Sequence, residues 1–223
     1  MSVKQEQVQL GNRLEVFVAT PTAGAVQANY AISIAPMMLH YLNHQCRGTL
    51  ARDRKIHHQM ILGSVIGDSR DKLVDLALEH PITHLLFIDD DMGFAEDALN
   101  VALNRQLPIV LGNYRVKCEP FNFTARANWD DEPLKIIDTT EDSSGVEPGS
   151  WGGFGFALIE RRVLEAVKKP RFLGQYNHDA YTTEDYPFFL AAKQAGFGAV
   201  IDHDLSKGLS HRGGFTFTHR SLS

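Results

Sequence analysis

The chain has 223 residues, of which 43% are hydrophobic and 22% are charged, and its formal net charge is −5. This composition disfavours an intrinsically disordered chain and fits a globular protein with one sizeable core. The acidic balance provides no overall basic field, so strong non-specific nucleic-acid binding is not expected. Cys46 and Cys118 lie far apart without Cys-x-x-Cys spacing, which indicates neither a disulfide framework nor a structural zinc site.

The first half of the chain alternates strand-like and helix-like segments. Strands are predicted at 14–20, 54–61, 83–88 and 107–112, and helices at 27–44, 67–80 and 94–106. Pro36 is expected to kink or divide the first helix, and Asp68 or Ser69 to cap the second. The alternation predicts an α/β fold with a mostly parallel central sheet flanked by helices.

The second half has a different character. Residues 121–129 and 134–140 predict the strands of a small antiparallel ribbon, and a polar loop follows at 141–150. Further elements are predicted in chain order: a strand at 151–160, helices at 161–169 and 182–196, a final strand at 199–205, and a loop and tail. No linker interrupts the chain, so one domain spanning 1–223 is expected.

The sequence predicts no membrane segment. The N-terminal stretch is polar and has no apolar signal segment, and no apolar run approaches about 18 residues. A cytoplasmic location is therefore the expectation.

Three consecutive aspartates follow the apolar strand in "HLLFIDDDMGF" (84–94). In open α/β sheets, ligands bind at the carboxyl ends of the strands, which is where Asp89, Asp90 and Asp91 fall. If the strand continued, Asp89 and Asp91 would share one face and Asp90 would point to the other. Two converging carboxylates need a cation, and oxygen ligands favour Mg²⁺ or Mn²⁺. The alternative is a solvated turn that precedes the next helix.

Several segments, in this order along the chain, resemble those of GT-A fold glycosyltransferases. The apolar strand ending in Asp-x-Asp is similar to their signature, and "VFVATPTAG" resembles their first strand and loop. Four more segments look like family-2-like enzymes of the short bacterial or bacteriophage type: "GSVIGDSRDKLVDLAL", "WGGFGFALIERRVLEAV", "EDYPFFLAAKQAGFGAVID" and "HDLSKGLSHRGG". The resemblance covers most of the chain.

The resemblance implies an enzyme that moves a sugar from a nucleoside-diphosphate donor, a UDP- or GDP-sugar, to an acceptor hydroxyl. Residues 1–113 would bind the donor, and residues 114–223 would hold the acceptor and the catalytic groups. Mn²⁺ or Mg²⁺ would be held by Asp89, Asp91 and His211. The donor-binding residues would be Thr20, Pro21, Thr22, Arg70, Asp89, Asp90, Trp151, Gly152, Gly153 and Arg212.

The catalytic base implied by the resemblance is Asp185, with Glu184 as the neighbouring candidate. A carboxylate near a helix N-terminus is held ionised by backbone N–H groups, so it can accept the proton of an acceptor hydroxyl. This assignment implies an inverting reaction, although retention of configuration stays open. The structural alternative is that Thr182-x-x-Asp185 is a capping box that only starts the helix.

The other candidate residues also have structural alternatives. Arg70 would pair with donor phosphate or brace Asp89, or else form an exposed helix pair. His211 has a nearby rival in His203, and a lone histidine is often structural. Trp151 would stack on a sugar or pack as an interfacial tryptophan, and the glycines after it would let the backbone approach a sugar closely.

Two other functions stay open from the sequence. A sugar-nucleotide nucleotidyltransferase also joins an α/β sheet to an acidic metal site, but "TPTAG" lacks the long glycine- and basic-rich phosphate loop expected there. A non-catalytic module that binds nucleotide or glycan is the third reading. The acceptor, whether glycan, small molecule or modified nucleic acid, and the oligomeric state are not predicted.

Overall fold

A seven-stranded sheet forms the centre of the molecule. The computed structural model describes residues 13–43, 53–129, 134–177, 180–213 and 216–219, so Cys46 lies outside the described residues. The sheet strands are β1 (Arg13–Thr22), β2 (Asp53–Leu62), β3 (His84–Ile88), β5 (Ile109–Gly112), β6 (Val146–Gly149), β7 (Phe156–Glu160) and β10 (Ala199–Asp202).

The sheet has the order β2-β1-β3-β7-β5-β10-β6. β1 runs parallel to β2 and β3, and β5 runs parallel to β10, whereas β7 is antiparallel to both β3 and β5, and β6 is antiparallel to β10. Five strands therefore run in one direction. This confirms the predicted α/β class with a mostly parallel central sheet.

Helices cover the sheet on both faces. They are α1 (Ala28–Asn43), α2 (Ile66–Leu78), α3 (Ala98–Leu103), α4 (Arg161–Ala166), α5 (Asp185–Gln194) and α6 (His203–Lys207). One core layer joins residues of α2, α4 and α5 to the sheet, and the other joins residues of α1, α3 and α6. β3 and β7 are buried along their whole length, as continuous apolar strands between two helical layers require.

Two small antiparallel sheets complete the described fold. β4 (Met92–Gly93), β11 (Ser210–Arg212) and β12 (Thr216–Thr218) form one, and β8 (Gln175–Asn177) pairs with β9 (Ala180–Thr182) in the other. The predicted antiparallel ribbon thus exists, but not at 121–129 and 134–140. Those two segments share one isolated bridge, between Arg126 and Ile136, and form no named strands.

The structure corrects several predicted boundaries. The predicted loop 141–150 contains β6, and the predicted strand 199–205 stops at Asp202, whose carboxylate caps α6 by accepting from two backbone N–H groups. α2 begins at Ile66 after the N-cap residue Val65, and no side chain caps it. The expected Asp68 or Ser69 cap is therefore wrong, because both residues already lie inside the helix.

The topology brings distant parts of the sequence to one edge of the sheet. β1, β2 and β3 are parallel neighbours, so their carboxyl ends at Thr22, Leu62 and Ile88 open on the same side. The residues that follow those ends are the first candidates for a binding site. Within the described ranges, no helix has both the length and the apolar character needed to cross a membrane.

Candidate active site

The three aspartates form a turn and do not continue the strand. β3 ends at Ile88, and the N–H of Met92 donates to the carbonyl of Asp89 at 3.2 Å. The predicted alternation, with Asp90 pointing away from its neighbours, is therefore wrong. All three aspartates of this turn line one cavity at the sheet edge.

A cavity of about 200 Å³ opens at this turn. Its walls come from the ends of β1, β2 and β3: Pro21, Thr22, Ala23, Gly63, Ser64, Ile66, Asp89, Asp90 and Asp91. Pro21 and Thr22 thus share a cavity with all three aspartates, as a donor pocket requires. Thr20 is fully buried beneath it, where its hydroxyl lies 2.7 Å from the hydroxyl of Tyr30.

Arg70 connects the aspartate turn to the start of α5. Its side chain is only 2% exposed, and Nη2 donates to Asp89 Oδ1 at 3.1 Å. Nη1 donates to Glu184 Oε1 and to Asp185 Oδ1, each at 2.7 Å. Of the predicted roles, the structure shows bracing of Asp89. One guanidinium holds the first aspartate and both predicted base candidates in fixed positions.

Asp185 is set up to accept a proton near neutral pH. The pKa of Asp185 is raised to about 7, chiefly by burial; Arg70 lowers it, and the nearby carboxylates of Glu184 and Asp89 raise it again. The expectation of a carboxylate held fully ionised by the helix N-terminus is thus wrong. The capping-box alternative also finds no support, because Thr182 lies in β9 and the N-cap residue of α5 is Glu184.

His211 and Asp91 form the second half of the site. His211 Nδ1 lies 2.8 Å from the carbonyl oxygen of Arg115 and must donate to it, since a carbonyl only accepts. In the neutral ring, Nε2 then presents a lone pair to Asp91 Oδ1, 3.4 Å away. Asp91 Oδ1 is buried and has no hydrogen-bond partner among the described residues. A cation between these two atoms would satisfy both, which is the usual arrangement of a metal-bound histidine.

Lys117 is a further contact of Asp91 that the sequence reading missed. Its ammonium group forms an ion pair with the second carboxylate oxygen, Oδ2. Burial alone raises the pKa of Asp91, but the contacts with the imidazolium form of His211 and with Lys117 outweigh it and lower the pKa below the usual value. Asp91 is therefore held ionised, as a metal ligand must be.

The predicted metal set of Asp89, Asp91 and His211 is assembled only in part. Asp89 is turned toward Arg70, and among the described residues no three His, Cys, Asp or Glu side chains converge on one point. The donor chemistry of the Asp91–His211 pair fits Mn²⁺, which accepts both oxygen and imidazole ligands. The contribution of Asp89 to a metal shell stays a prediction.

Asp90 has surroundings of its own. Burial raises the pKa of Asp90, a hydrogen bond from Thr22 lowers it, and the charges of Asp91 and Asp89 raise it again, for a net upward shift. Its backbone carbonyl accepts the N–H of Gln27 at 2.9 Å, just before α1. Asp90 thus ties the cavity wall of β1 to the aspartate turn.

Tyr114 is a buried residue of the site that carried no sequence signal. Its hydroxyl oxygen accepts the N–H of Gly155 at 2.9 Å, and its ring meets the ring of His211 edge-on at 5.0 Å. A Cβ on Gly153 would lie 2.2 Å from that hydroxyl oxygen. Gly153 and Gly155 of "WGGFGF" therefore make room for Tyr114. A lone tyrosine has no motif around it, so the sequence could not single it out.

The remaining predicted donor-binding residues lie around this centre. Gly152 is buried against Leu111 and Ala125, and not against open space. Trp151 packs edge-on against Tyr186 at 5.6 Å, and its indole nitrogen is buried without a partner. The exposed Arg212 donates its backbone N–H to the carbonyl of Asp91 at 2.9 Å. Donor contacts of these three residues stay predictions.

The rival histidine has a structural role. His203 is buried, and its Nδ1 lies 3.0 Å from the hydroxyl of Thr139. The neighbouring Asp202 is fully buried and forms a bidentate pair with Arg105 at 2.8 and 2.9 Å. These contacts hold α6 in place. Of the two candidate histidines, His211 is therefore the one that faces the aspartate turn.

The site has an excess of negative charge. Five carboxylates and two permanent cations are gathered within it: Asp89, Asp90, Asp91, Glu184 and Asp185 against Arg70 and Lys117. With all five ionised, three negative charges are left uncompensated. An anionic ligand such as a diphosphate would be repelled from this cavity unless a cation entered with it.

Comparisons with solved structures give the fold. The crystal structure of A197 from STIV matches with a TM-score of 0.59 and 18% identity, over 90% of this chain and 86% of A197. The crystal structure of GalNAc-T7 with UDP, GalNAc and Mn²⁺ matches with a TM-score of 0.54 and 11% identity. The fold is GT-A. This confirms the fold expected from the resemblance of the motifs.

The likeness concerns the GT-A fold and not the substrate. The match to GalNAc-T7 covers 85% of this chain but only 42% of that longer chain. No protein-family model and no curated protein matches the sequence. In this GT-A chain the aspartate turn, Arg70 and His211 are brought together at the carboxyl ends of the parallel strands, although up to 141 residues separate them in sequence.

Proposed function

We propose that the protein is a metal-dependent glycosyltransferase that moves a sugar from a UDP- or GDP-sugar to an acceptor hydroxyl. The observation that carries this proposal is the excess of carboxylates around the cavity, together with the buried, unpartnered Asp91 Oδ1 that faces His211 Nε2. A nucleoside diphosphate needs a cation to enter such a site, and Asp91 and His211 are placed to hold one. The GT-A fold supports the same class of reaction.

The parts of the chain would divide the work. Residues 1–113 contribute Pro21, Thr22 and the aspartate turn to the donor cavity, and residues 114–223 contribute the base and the acceptor side. The metal, Mn²⁺ or Mg²⁺, would be held by Asp91 and His211 with Asp89 beside them. Bound there, it would neutralise charge on the leaving diphosphate as a Lewis acid. The sugar, the nucleotide base and the acceptor are left to experiment.

Asp185 would act as the base in a single-displacement, inverting reaction. Its pKa of about 7 matches a group that must be ionised before attack and protonated after it. Arg70 is a positioning residue here, because it holds Asp185 and Asp89 through one guanidinium and is itself too deeply buried to be an exposed donor contact.

The proposal is tested by donor binding and turnover with Mn²⁺. We expect UDP- or GDP-sugars to raise the melting temperature only with the metal, and donor hydrolysis to follow the same requirement. Asp91→Asn and His211→Ala should each raise, by about tenfold or more, the Mn²⁺ concentration that gives half of the donor-induced stabilisation. His80→Ala, at the opposite edge of the sheet, should leave it unchanged.

Three results would count against the proposal. Stabilisation by nucleoside triphosphates but not by diphosphate sugars would indicate a nucleotidyltransferase. Donor binding with no hydrolysis or transfer for any donor would indicate a binding module. Full metal-dependent stabilisation in both Asp91→Asn and His211→Ala would remove the assigned metal site.

A further inference from the structure

A second cavity, of about 470 Å³, lies in the half of the chain after residue 113. Its lining residues are Arg115, Phe123, Asp138, Thr139, Thr140, Glu141, Asp142 and His219. The volume exceeds the 200 Å³ or so of the donor cavity and falls within the range of small-molecule sites, roughly 300–1,000 Å³. None of the residues assigned to the donor, the metal or the base lines it, so the proposed function leaves this second cavity without a role.

His219 contributes a buried hydrogen-bond acceptor to the wall of the second cavity. Its side chain is only 8% exposed, and Nε2 lies 2.8 Å from Oε1 of Glu141. Since a carboxylate accepts, Nε2 carries the proton, and Nδ1 of the neutral ring presents a lone pair. Nδ1 is buried and has no hydrogen-bond partner among the described residues. A buried acceptor without a donor is unfavourable, so this atom calls for an O–H or N–H group of a ligand.

Arg115 contributes a buried donor to the same wall. Its Nη1 donates to the carbonyl of Phe121 at 2.9 Å, and the guanidinium lies over the ring of Phe123 at 4.4 Å, so the group is held in place. Its Nε is buried and finds no hydrogen-bond partner in the described part of the chain. The residues that line the second cavity therefore carry one unmet acceptor and one unmet donor.

These two atoms and the charge of the wall select the class of ligand. Asp138, Glu141 and Asp142 outnumber Arg115, the one permanent cation among the lining residues, so a phosphate group is repelled. An ammonium group could donate to His219 but could not accept from Arg115, whereas hydroxyl groups both donate and accept. A metal ion is disfavoured because no three carboxylate or imidazole groups of the described residues converge on one point.

We propose that the second cavity binds a saccharide and that this saccharide is the acceptor, the second part resting on the proposed glycosyl transfer. A saccharide offers many hydroxyl groups on one rigid frame, as the wall requires. Arg115 connects the second cavity to the proposed metal site, because its side chain lines the cavity while its backbone carbonyl accepts from His211 Nδ1 at 2.8 Å. A sugar bound there lies beside the reaction centre.

The loop that presents the carboxylates is held in one conformation. The N–H of Thr140 donates to Ser143 Oγ at 3.1 Å, and the N–H of Ser143 donates back to the carbonyl of Thr140 at 3.2 Å. The ammonium group of Lys207 donates to the carbonyl of Glu141 at 2.7 Å. The wall is thus formed before a ligand arrives, which reduces the entropy lost on binding.

The first test is saccharide binding by the full chain without donor or metal. Saturation-transfer NMR with the methyl glycosides of the common neutral hexoses, pentoses and N-acetylhexosamines should detect binding of at least one. His219→Phe should weaken that binding by about tenfold, because it removes the buried acceptor. His219→Asn, whose amide oxygen can take the place of Nδ1, should lose less. His80→Phe is the matched control, since His80 lines a different cavity. Unchanged thermal melting would show that His219→Phe still folds.

The second test connects the second cavity to turnover. With the natural acceptor, His219→Phe should raise the acceptor KM by about tenfold and leave kcat at saturating acceptor, and metal-dependent donor stabilisation, unchanged. An unchanged acceptor KM in a variant that has lost glycoside binding overturns the acceptor assignment alone.

Three other results separate the remaining possibilities. Binding of no glycoside, or equal binding by His219→Phe, overturns the saccharide site. So does binding of spermidine or inorganic phosphate that is lost in His219→Phe. Glycoside binding through His219 by a chain that transfers no sugar would uphold the saccharide site and contradict the proposed function.

Discussion

At the scale of single residues, one arginine determines the geometry of the site. Arg70 is buried and bonded to Asp89, Glu184 and Asp185, so its charge is matched by more than one carboxylate. Removing a buried partner leaves the opposite charges desolvated and unpaired, which costs more than the pair itself contributed. The same change would release Asp89 from its fixed orientation.

Arg70→Met should therefore lower the free energy of unfolding by about 3 kcal/mol or more and abolish donor-induced stabilisation with Mn²⁺. Arg70→Lys keeps the charge but cannot reach all three carboxylates. We therefore expect this variant to be more stable than Arg70→Met and still to bind donor, but weakly. Arg171→Met is the matched control: Arg171 pairs with Asp71 and Asp75 of α2, away from the cavity. Chemical denaturation and thermal shift measure both effects, and normal donor stabilisation in Arg70→Met would contradict the positioning role.

Asp185→Asn should abolish sugar transfer and leave donor binding intact, because the amide cannot accept the proton of the acceptor hydroxyl. The transfer rate of the natural chain should rise with pH through about 7, as Asp185 loses its proton. Single-turnover transfer with saturating donor checks both statements. Near-normal turnover in Asp185→Asn would show that another group is the base.

Asp185→Asn should also melt at a higher temperature than the natural chain, increasingly so from pH 5 to pH 8. The folded pKa is about 7 and the ordinary value is 3.8, so the folded state binds the proton more strongly and loses stability as pH rises between them. A gain of about 1 kcal/mol would correspond to roughly 2–4 °C. Asp204→Asn should instead melt at a lower temperature by the same amount at both pH values, since the hydrogen bond from Arg105 lowers the pKa of Asp204 below its ordinary 3.8 and this group is ionised throughout the range. An equal rise in the melting temperature of Asp185→Asn at pH 5 and at pH 8 would contradict the raised pKa of Asp185.

At the scale of elements, the segment before β7 is fitted to Tyr114. The glycines at 153 and 155 leave the space that the tyrosine ring occupies, and the ring in turn packs on His211. The position of His211, which belongs to the proposed metal site, thus depends on residues outside that proposed site.

Gly153→Ala should destabilise the fold by about 1–3 kcal/mol and weaken Mn²⁺-dependent donor stabilisation, because the new Cβ displaces Tyr114. Tyr114→Phe removes the closest clashing atom, so the double variant should lose less stability than the sum of the two single changes. Gly208→Ala meets only ordinary contacts at 3.4 Å and should be neutral. Strictly additive losses would mean that the clash is relieved elsewhere.

The sequence predicted the long elements well and the short ones poorly. β1, β3 and β5 were predicted correctly because a short, continuous apolar run is typical of a buried strand. The three aspartates were predicted at the edge of the sheet where the structure places them. β6 reads "VEPG", and β11 and β12 are three residues each, so their pairing depends on tertiary neighbours and leaves no periodic pattern. The contacts of Lys117 with Asp91 and of Tyr114 with His211 arise from the same long-range packing.

At the scale of the whole molecule, the site takes residues from most of the chain. Asp91 faces His211, 120 positions later, and Arg70 reaches Asp185, 115 positions later. The sheet makes this possible, because the carboxyl ends of its five parallel strands meet at one edge.

The central position of β7 has a consequence for how the chain folds. β3 ends at residue 88 and β5 at residue 112, yet each pairs with β7, which begins only at residue 156. The group β2-β1-β3 and the group β5-β10-β6 share no hydrogen-bonded strand pair with each other. The sheet therefore cannot grow strand by strand in the order of synthesis. The sheet closes when β7 enters between β3 and β5, which precede it in the chain. The chain loses conformational entropy in closing these loops before it gains the contacts of β7.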